Sequence, residues 1–262
     1  MKKIFLCLLS VILVTAFCIV GISAKSESMN WYCVRRKDHK QPIADSNMQF
    51  IEQYNGFYID HKHDDNNTEK IVYLTFDAGY ENGNISRILD TLKEENVHGA
   101  FFILENLINK DLDLVKRMIQ EGHTVANHTA NHKDMTKFSN IEDFKEEIES
   151  LEKIYYEATG CNMPKYFRYP EGKFSQRSMQ YLNDLGYKTI FWSFAYADWD
   201  NNNQMSPEEA KSKILSNIHN GAVLLLHPTS KTNADILKDV IVELKELGYK
   251  FGTLDELTGN IA

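Results

Sequence analysis

The pattern of hydrophobic and polar positions divides the chain into three parts. An uncharged, mostly apolar run covers residues 4–24 directly after Lys2 and Lys3, residues 25–69 show little periodicity, and short apolar runs alternate with helical patterns from residue 71 onward. A basic start followed by an apolar run is typical of an export signal, and ~20 apolar residues also suffice to cross a bilayer. We therefore expect residues 1–24 to be a signal peptide or a membrane anchor.

Short apolar runs rich in β-branched and aromatic residues predict the buried strands of the third part. They lie at residues 71–76, 100–104, 124–126, 166–167, 189–192, 222–226 and 250–253. Apolar residues recur at helical spacing between them, over residues 85–92, 141–154 and 236–247. Ser206 and Pro207, followed by Glu209, predict a further helix start with an N-cap, an N1 proline and a capping-box glutamate.

Strands that alternate with helices predict a parallel sheet whose crossover helices cover it. About 190 residues leave room for roughly six or seven such units in one domain. We therefore predict an α/β fold in which residues 70–258 form a single catalytic domain, a distorted or incomplete (β/α) barrel. Residues 25–69 are expected to be an exposed N-terminal extension, in which the polar run from His61 to Asn67 forms solvated turns rather than a metal-binding tract.

Composition narrows the class of protein further. The chain is 43% hydrophobic and 25% charged, which excludes a disordered protein, and its formal charge of −8 argues against nucleic-acid or anionic-membrane partners, which require a basic face. Outside the first 24 residues the only cysteines are Cys33 and Cys161, too few for a disulfide framework. We expect two unpaired thiols, with a single bridge as the alternative, and a monomer.

Polar side chains with catalytic chemistry follow five of the predicted strands. They are Asp77, the pair His128 and His132, Arg168, Asp198 and His227. Taken singly, each has an ordinary explanation, such as a helix cap, a surface ion pair or a core histidine. Functional residues of a β/α barrel, however, lie on the loops after the strands, and histidines at i and i+4 share one face of a helical turn, as metal binding requires. Their joint placement therefore indicates an active site.

The motifs around these residues resemble a known family. In chain order they read Thr75-Phe76-Asp77, His128-Thr129-Ala130-Asn131-His132, Arg168-Tyr169-Pro170-Glu171-Gly172, Asp198-Trp199 and Leu226-His227. This ordered set, within residues 70–257, is similar to the five motifs of the polysaccharide deacetylases, carbohydrate esterase family 4, with their NodB homology domain. The stretches 75–83, 191–199 and 227–234 look most like the sporulation-type peptidoglycan N-acetylmuramic acid deacetylases, also named delta-lactam-biosynthetic de-N-acetylases.

The resemblance implies a role for each motif residue. His128 and His132 would bind a divalent metal, with zinc expected, while Asp77 would act as general base. His227 would act as general acid, oriented by Asp198. The remaining implied roles are a partner that keeps Asp77 ionised (Arg168), an oxyanion-binding backbone N–H (Glu171), an apolar wall (Trp199) and substrate contacts in the third motif (Tyr169, Pro170 and Glu171).

One position departs from the family pattern. Most members have a second aspartate after the base as a third metal ligand, and this chain has Ala78 there. Alanine has no donor atom, and catalytic zinc usually has three protein ligands. We therefore expect a weakened metal site, completed by water, by Asp77 or by another nearby oxygen.

The resemblance implies removal of the acetyl group from N-acetylmuramic acid in peptidoglycan glycan strands, after an N-acetylmuramoyl-L-alanine amidase has removed the peptide, leading to muramic delta-lactam in spore cortex. A cationic or hydrogen-bond donor group beside the lactyl group would favour this substrate, and Arg168, Lys173 and Lys231 are the candidates. The alternatives are a peptidoglycan N-acetylglucosamine or chitooligosaccharide deacetylase and a catalytically degenerate glycan-binding protein. The expected location is outside the cytoplasm: secreted, at the outer face of the cytoplasmic membrane, in the cell wall or in the forespore intermembrane space.

Overall fold

A computed structural model describes residues 27–259 of the chain; the expected signal peptide or anchor lies outside them. The strands are β1 (Met29–Asn30), β2 (Cys33–Val34), β3 (Ile43–Ala44), β4 (Gly56–Phe57), β5 (Lys70–Ala78), β6 (Ala100–Ile103), β7 (Thr124–Asn127), β8 (Tyr166–Phe167), β9 (Lys173–Phe174), β10 (Lys188–Ile190), β11 (Ala222–Leu226) and β12 (Tyr249–Phe251). The helices are α1 (Asn84–Glu94), α2 (Glu105–Lys110), α3 (Leu112–Gln120), α4 (Ile141–Thr159), α5 (Gln176–Asp184), α6 (Pro207–Asn217), α7 (Lys231–Glu246) and α8 (Leu254–Thr258). Within this range, no helix is both long and apolar enough to cross a membrane.

The main sheet is parallel and curls toward closure. Its order is β11-β5-β6-β7-β8-β10-β4, and β12 pairs with the first residues of β5. Isolated bridges connect Ile59, after β4, to Ala222 and Phe194, after β10, to Leu224. Both bridges bring the far edge back to β11, so the sheet forms the distorted barrel that the alternation of strands and helices predicts.

The two faces of the sheet bury different apolar clusters. On β5, Leu74, Phe76 and Ala78 pack in a cluster that includes residues of α1, α3 and α7. Ile71 and Tyr73 of the same strand pack instead with residues of β6, β7, β11 and α8. Because side chains alternate along a strand, Thr75 and Asp77 share the face of Tyr73. Asp77 is also the second-to-last residue of β5, so it lies at the carboxyl end of the sheet.

The predicted elements agree closely with the observed ones. The strand predicted over 222–226 has the same bounds in the structure, and the first one is longer, Lys70–Ala78. Ser206 accepts a hydrogen bond from the Glu209 backbone and the Glu209 side chain accepts one in return, which confirms the capping box at the start of α6. Cys33 is buried and Cys161 exposed, and both are free thiols, which confirms the expected absence of a bridge.

The expectation of an exposed N-terminal extension is wrong for the described part, residues 27–69. Gly56 and Phe57 add a strand to the main sheet by pairing with β10. Trp31 is 8% exposed, and its ring stacks on Phe191 at 4.5 Å. Asp60, directly before the polar run, is held by the Tyr73 hydroxyl, which donates to Asp60 Oδ2 at 2.5 Å. The run from His61 to Asn67 itself forms mostly exposed turns, as predicted. The segment of residues 27–69 completes the barrel wall, and its weak periodicity reflects short strands and turns.

Candidate active site

A buried ion pair joins the ends of two strands. Arg168, directly after β8, is fully buried, and its NH1 group donates to Asp77 Oδ1 at 2.8 Å. The same guanidinium donates to the backbone oxygen of Ile190 at 2.9 Å and to Thr75 Oγ1 at 2.8 Å. The N–H groups of Arg168 are therefore bonded to other protein atoms, so Arg168 is neither a surface ion-pair partner nor a free cation. Its bond to Oδ1 fixes the direction of the Asp77 carboxylate.

The ion pair determines the charge of Asp77. Burial by itself opposes ionisation of this carboxyl, but the positive charge of Arg168, with contributions from His128 and His227, holds the pKa of Asp77 below its ordinary value. The other carboxylate oxygen, Oδ2, lies 3.6 Å from His128 Nε2. Asp77 is thus an ionised carboxylate at neutral pH with one oxygen directed toward His128.

The two histidines of the second motif lie next to each other after β7. Their ring centroids are 5.1 Å apart at an interplanar angle of 72°. His128 is buried, and its Nδ1 lies 2.9 Å from the backbone oxygen of Arg168. Because a carbonyl only accepts hydrogen bonds, Nδ1 carries the proton and Nε2 keeps its lone pair. His132 is exposed and has a positive φ of 55°.

The loop that carries the histidines is held by residues that sequence reasoning missed. Asn127 is fully buried; its Oδ1 accepts from the Thr129 backbone at 2.8 Å and its Nδ2 donates to the Ile148 oxygen at 3.0 Å. Glu147 of α4 accepts from the Asn131 backbone at 2.9 Å. Asn127 precedes the motif in sequence and could have been found there, whereas nothing in the sequence connects Glu147 with it.

Opposite these groups, His227 and Asp198 form a second pair. His227 Nδ1 lies 2.7 Å from Asp198 Oδ1, and the His227 backbone N–H donates to Asp198 Oδ2 at 2.8 Å. Burial lowers the pKa of His227, but the hydrogen bond and charge of Asp198 outweigh it, so the pKa lies above 6.5. Asn233 of α7, which sequence reasoning did not assign, donates to Asp198 Oδ2 at 2.6 Å. His227 can therefore hold a proton on Nε2.

The carboxylate and the three histidines that these contacts hold meet at one cavity of about 800 Å³. Its lining includes Asp77, His128, His132, Glu171, Trp199 and His227. Trp199 is 64% exposed at this wall, so it is not a core aromatic. The structure thus brings together residues that are up to 150 positions apart.

Two predicted substrate contacts need correction. Tyr169 is fully buried and its ring is parallel to that of Phe191 at 6.0 Å, and Pro170 is buried beside it. Neither residue lines the cavity. Their place in the core has a structural reason: they anchor the short turn at Pro170–Gly172, in which Glu171 has a positive φ of 57°. From the third motif, Glu171 and Gly172 reach the cavity wall.

The donor set at the histidines suits a divalent metal. Two imidazoles with a carboxylate oxygen beside them are the ligand types that zinc prefers, and the bond from His128 Nδ1 to a carbonyl is the usual way to orient a ligating histidine. Among residues 27–259, no group of three or more His, Cys, Asp or Glu side chains has the arrangement of a metal site. Ala78 is fully buried beside Ile103 and does not line the cavity.

Comparison with known sequences identifies peptidoglycan deacetylases among the proteins similar to this chain. The family model "Polysaccharide deacetylase" matches residues 64–190. The chain is 38% identical over 233 residues to the peptidoglycan-N-acetylmuramic acid deacetylase PdaA of Bacillus subtilis, which covers 88% of this chain and 86% of that protein. It is 35% identical over 192 residues to the peptidoglycan-N-acetylglucosamine deacetylase PgdA of Listeria monocytogenes, covering 73% of this chain and 40% of that protein.

Comparison with solved structures agrees with these matches. The structure of Bacillus subtilis PdaA, a family 4 carbohydrate esterase, superposes with a TM-score of 0.83 at 37% identity and covers 89% of this chain and 98% of that one. A family 4 carbohydrate esterase from Bacillus anthracis superposes with a TM-score of 0.72 at 36% identity, covering 90% and 98%. The predicted barrel is therefore confirmed by experimental structures of similar proteins.

Proposed function

Because the chain belongs to the polysaccharide deacetylases, hydrolases of carbohydrate esterase family 4, we propose that it removes the acetyl group from N-acetylmuramic acid in peptidoglycan. The observation that supports this most directly is the cavity in which an ionised carboxylate faces an imidazole with a raised pKa. Amide hydrolysis needs both a base and an acid. The closeness of the chain to PdaA over nearly its full length supports the muramic substrate.

Asp77 is the base in this mechanism. Its free oxygen accepts a proton from a water molecule, and the water oxygen bonds to the acetyl carbonyl carbon. Arg168 keeps the carboxylate ionised and oriented through the bond to Oδ1. The backbone N–H of Glu171, at the cavity wall, is the proposed donor to the oxygen that becomes negatively charged.

His227 is the acid. When the tetrahedral intermediate collapses, His227 Nε2 donates a proton to the sugar nitrogen, the C–N bond breaks, and acetate leaves. Asp198 holds Nδ1 and stabilises the imidazolium. Trp199 provides an apolar wall beside the acetyl group or the sugar.

We propose zinc as the metal that His128 and His132 would hold, with water at its remaining positions, so that Asp77 Oδ2 stays free to act as the base. When bound, a divalent metal polarises the acetyl carbonyl and lowers the pKa of water. The family's deacetylases depend on such a metal. The absence of a carboxylate at position 78 supports weaker binding than three protein ligands would give.

The Ala78→Asp variant tests this ligand set. Ala78 faces the apolar cluster on the side of β5 opposite Asp77, so the new carboxylate reaches the histidines only when the end of the strand turns. The buried charge favours that turn, and we expect tighter zinc binding in a calorimetric titration. Without metal the variant should melt at a lower temperature than the parent, because Ala78 is fully buried among apolar side chains. Ala78→Ser, which adds no charge, is the control. Unchanged zinc affinity would show that position 78 is not a ligand position.

The Asp198→Asn variant tests the acid. His227 donates only when protonated, so kcat/KM should fall as the pH rises through its pKa, which Asp198 holds above 6.5. Asparagine keeps the shape but removes the charge, so the falling limb should move to lower pH. The measurement is the pH profile of acetate release for both proteins. An unmoved falling limb would assign the acid to another group.

Location and substrate preparation complete the proposal. We propose that residues 1–24 direct export, that the enzyme acts in the cell wall or forespore intermembrane space, and that it works as a monomer during sporulation on glycan stripped by an amidase. The sequence of residues 1–24 and the relation to PdaA support this. Free lactyl carboxylates, which the amidase exposes, are what lactam formation with the new amine requires.

The test uses three glycans with zinc present: intact peptidoglycan, amidase-stripped peptidoglycan and chitooligosaccharide. Mass spectrometry locates the lost acetyl groups. Loss from muramic residues of the stripped polymer alone is the expected result. Loss from glucosamine residues would indicate the activity that PgdA's name gives, and binding without any loss would indicate a degenerate glycan-binding protein.

A further inference from the structure

The segment after Asp77 forms a fixed loop at the cavity mouth. Glu81 accepts hydrogen bonds from the backbone N–H groups of Gly83 and Ile85, each at 2.9 Å, and so caps the start of α1. Asn82 donates to the backbone oxygen of Thr229, two residues after His227, at 2.8 Å. This bond between Asn82 and Thr229 joins the loop after the base, Asp77, to the loop after the acid, His227. Tyr80, between Gly79 and Glu81, takes no part in them.

Tyr80 instead faces the cavity. Its side chain lines the cavity wall and is 45% exposed. Asn201 Nδ2 donates to the Tyr80 hydroxyl oxygen at 2.8 Å, and Asn201 is two residues from Trp199, which also lines the cavity. Because the phenolic oxygen already accepts this bond, its own proton is available to an acceptor in the cavity. The amide donor also polarises the hydroxyl and makes it a stronger donor.

Within residues 27–259, no lysine or arginine lines the cavity where the lactyl carboxylate of a muramic residue would lie. Arg168 is buried and bonded to Asp77, Lys173 Nζ pairs with Asp134 Oδ2 at 2.6 Å, and Lys231 pairs with Asp235. None of the three lines the cavity. The three cationic candidates from the sequence are therefore excluded as direct contacts in this structure. His227 and the metal-binding histidines have catalytic roles, which leaves the hydrogen-bond donors of the cavity wall as candidates for binding the carboxylate.

We propose that the Tyr80 hydroxyl, held by Asn201, binds the lactyl carboxylate and so selects muramic residues without peptide. This rests on the proposed function. In the sugar, the carbon bearing the lactyl ether is bonded directly to the carbon bearing the acetamido group, so the lactyl group lies beside the reacting amide and within the cavity. A hydrogen bond to a carboxylate is stronger than one to the neutral amide of a peptide-bearing lactyl group.

The Tyr80→Phe variant tests the proposal on amidase-stripped peptidoglycan and on the same polymer with its lactyl carboxylates methyl-esterified. Phenylalanine keeps the ring and removes only the hydroxyl. On the free acid we expect KM to rise about tenfold, the loss of one charge-assisted hydrogen bond. We expect kcat to stay within about twofold, because the contact is equal in the ground and transition states. On the ester, KM should change less than about threefold.

Two further proteins complete the design. Asn201→Ala should raise KM on the free acid in the parent and cause no further rise when combined with Tyr80→Phe. Tyr156→Phe, on α4 at a side chain that is 54% exposed, is the matched control and should leave both constants unchanged.

The outcomes separate the two proposals. An equal change on both polymers, a fall in kcat with KM unchanged, or no change would overturn the role of Tyr80 alone. A parent enzyme that releases no acetate from either muramic polymer would overturn the proposed function, and with it the role of Tyr80.

Discussion

Replacing Asp77 by asparagine should lower kcat/KM for deacetylation about 10³-fold. The amide can still accept a hydrogen bond from Arg168, which donates to Asp77 Oδ1 at 2.8 Å, but it cannot take a proton from water. The variant should keep its affinity for glycan, and it should fold with reduced stability because the buried Arg168 loses its counter-charge. Acetate release from amidase-stripped peptidoglycan measures the rate, and thermal melting checks the fold.

Asp90→Asn is the control for Asp77→Asn. Asp90 also pairs with an arginine, since Arg117 NH2 lies 2.7 Å from its Oδ1, but its side chain is 68% exposed and does not line the cavity. Its loss should leave the rate unchanged. A folded Asp77→Asn protein with more than about a tenth of the parent rate would assign the base to another group.

Replacing Arg168 by methionine should lower the free energy of unfolding by about 3–5 kcal/mol. The change leaves the buried Asp77 carboxylate without its partner and removes donors from Thr75 and from the backbone oxygen of Ile190. The pKa of Asp77 should rise, because burial alone opposes its ionisation. Denaturant unfolding at neutral pH measures the stability, and activity should be lost with it.

A double variant separates charge from packing. Arg168→Met combined with Asp77→Asn should recover part of the lost stability, because no unpaired buried charge remains. Arg87→Met removes a partly exposed ion pair with Asp235, whose side chains are 45% and 26% exposed, and should cost about 1 kcal/mol or less. Equal losses for Arg87→Met and Arg168→Met would contradict the importance of the buried pair.

Local sequence was enough to predict the fold class and most of the site. Apolar runs of strand length alternate with helical patterns, and this spacing alone dictates a parallel sheet with covering helices. Since parallel strands present their carboxyl ends at one edge, Asp77, His128, Arg168 and His227 could be expected to meet there. Their side chains do line or support one cavity. The roles of acid, base and metal-binding imidazoles, in contrast, were implied by the resemblance to the deacetylase motifs.

Only the tertiary structure decided which residues support the site and which face it. Trp31 packs on Phe191, and Asn233 orients Asp198; such contacts join distant parts of the chain and leave no periodic pattern in the sequence. Tyr169 was expected in the site because of its motif, yet the curl of the sheet buries its ring. The hydrophobic periodicity of a sequence predicts which face of its helix or strand a residue occupies. What packs against that face depends on how the whole chain folds.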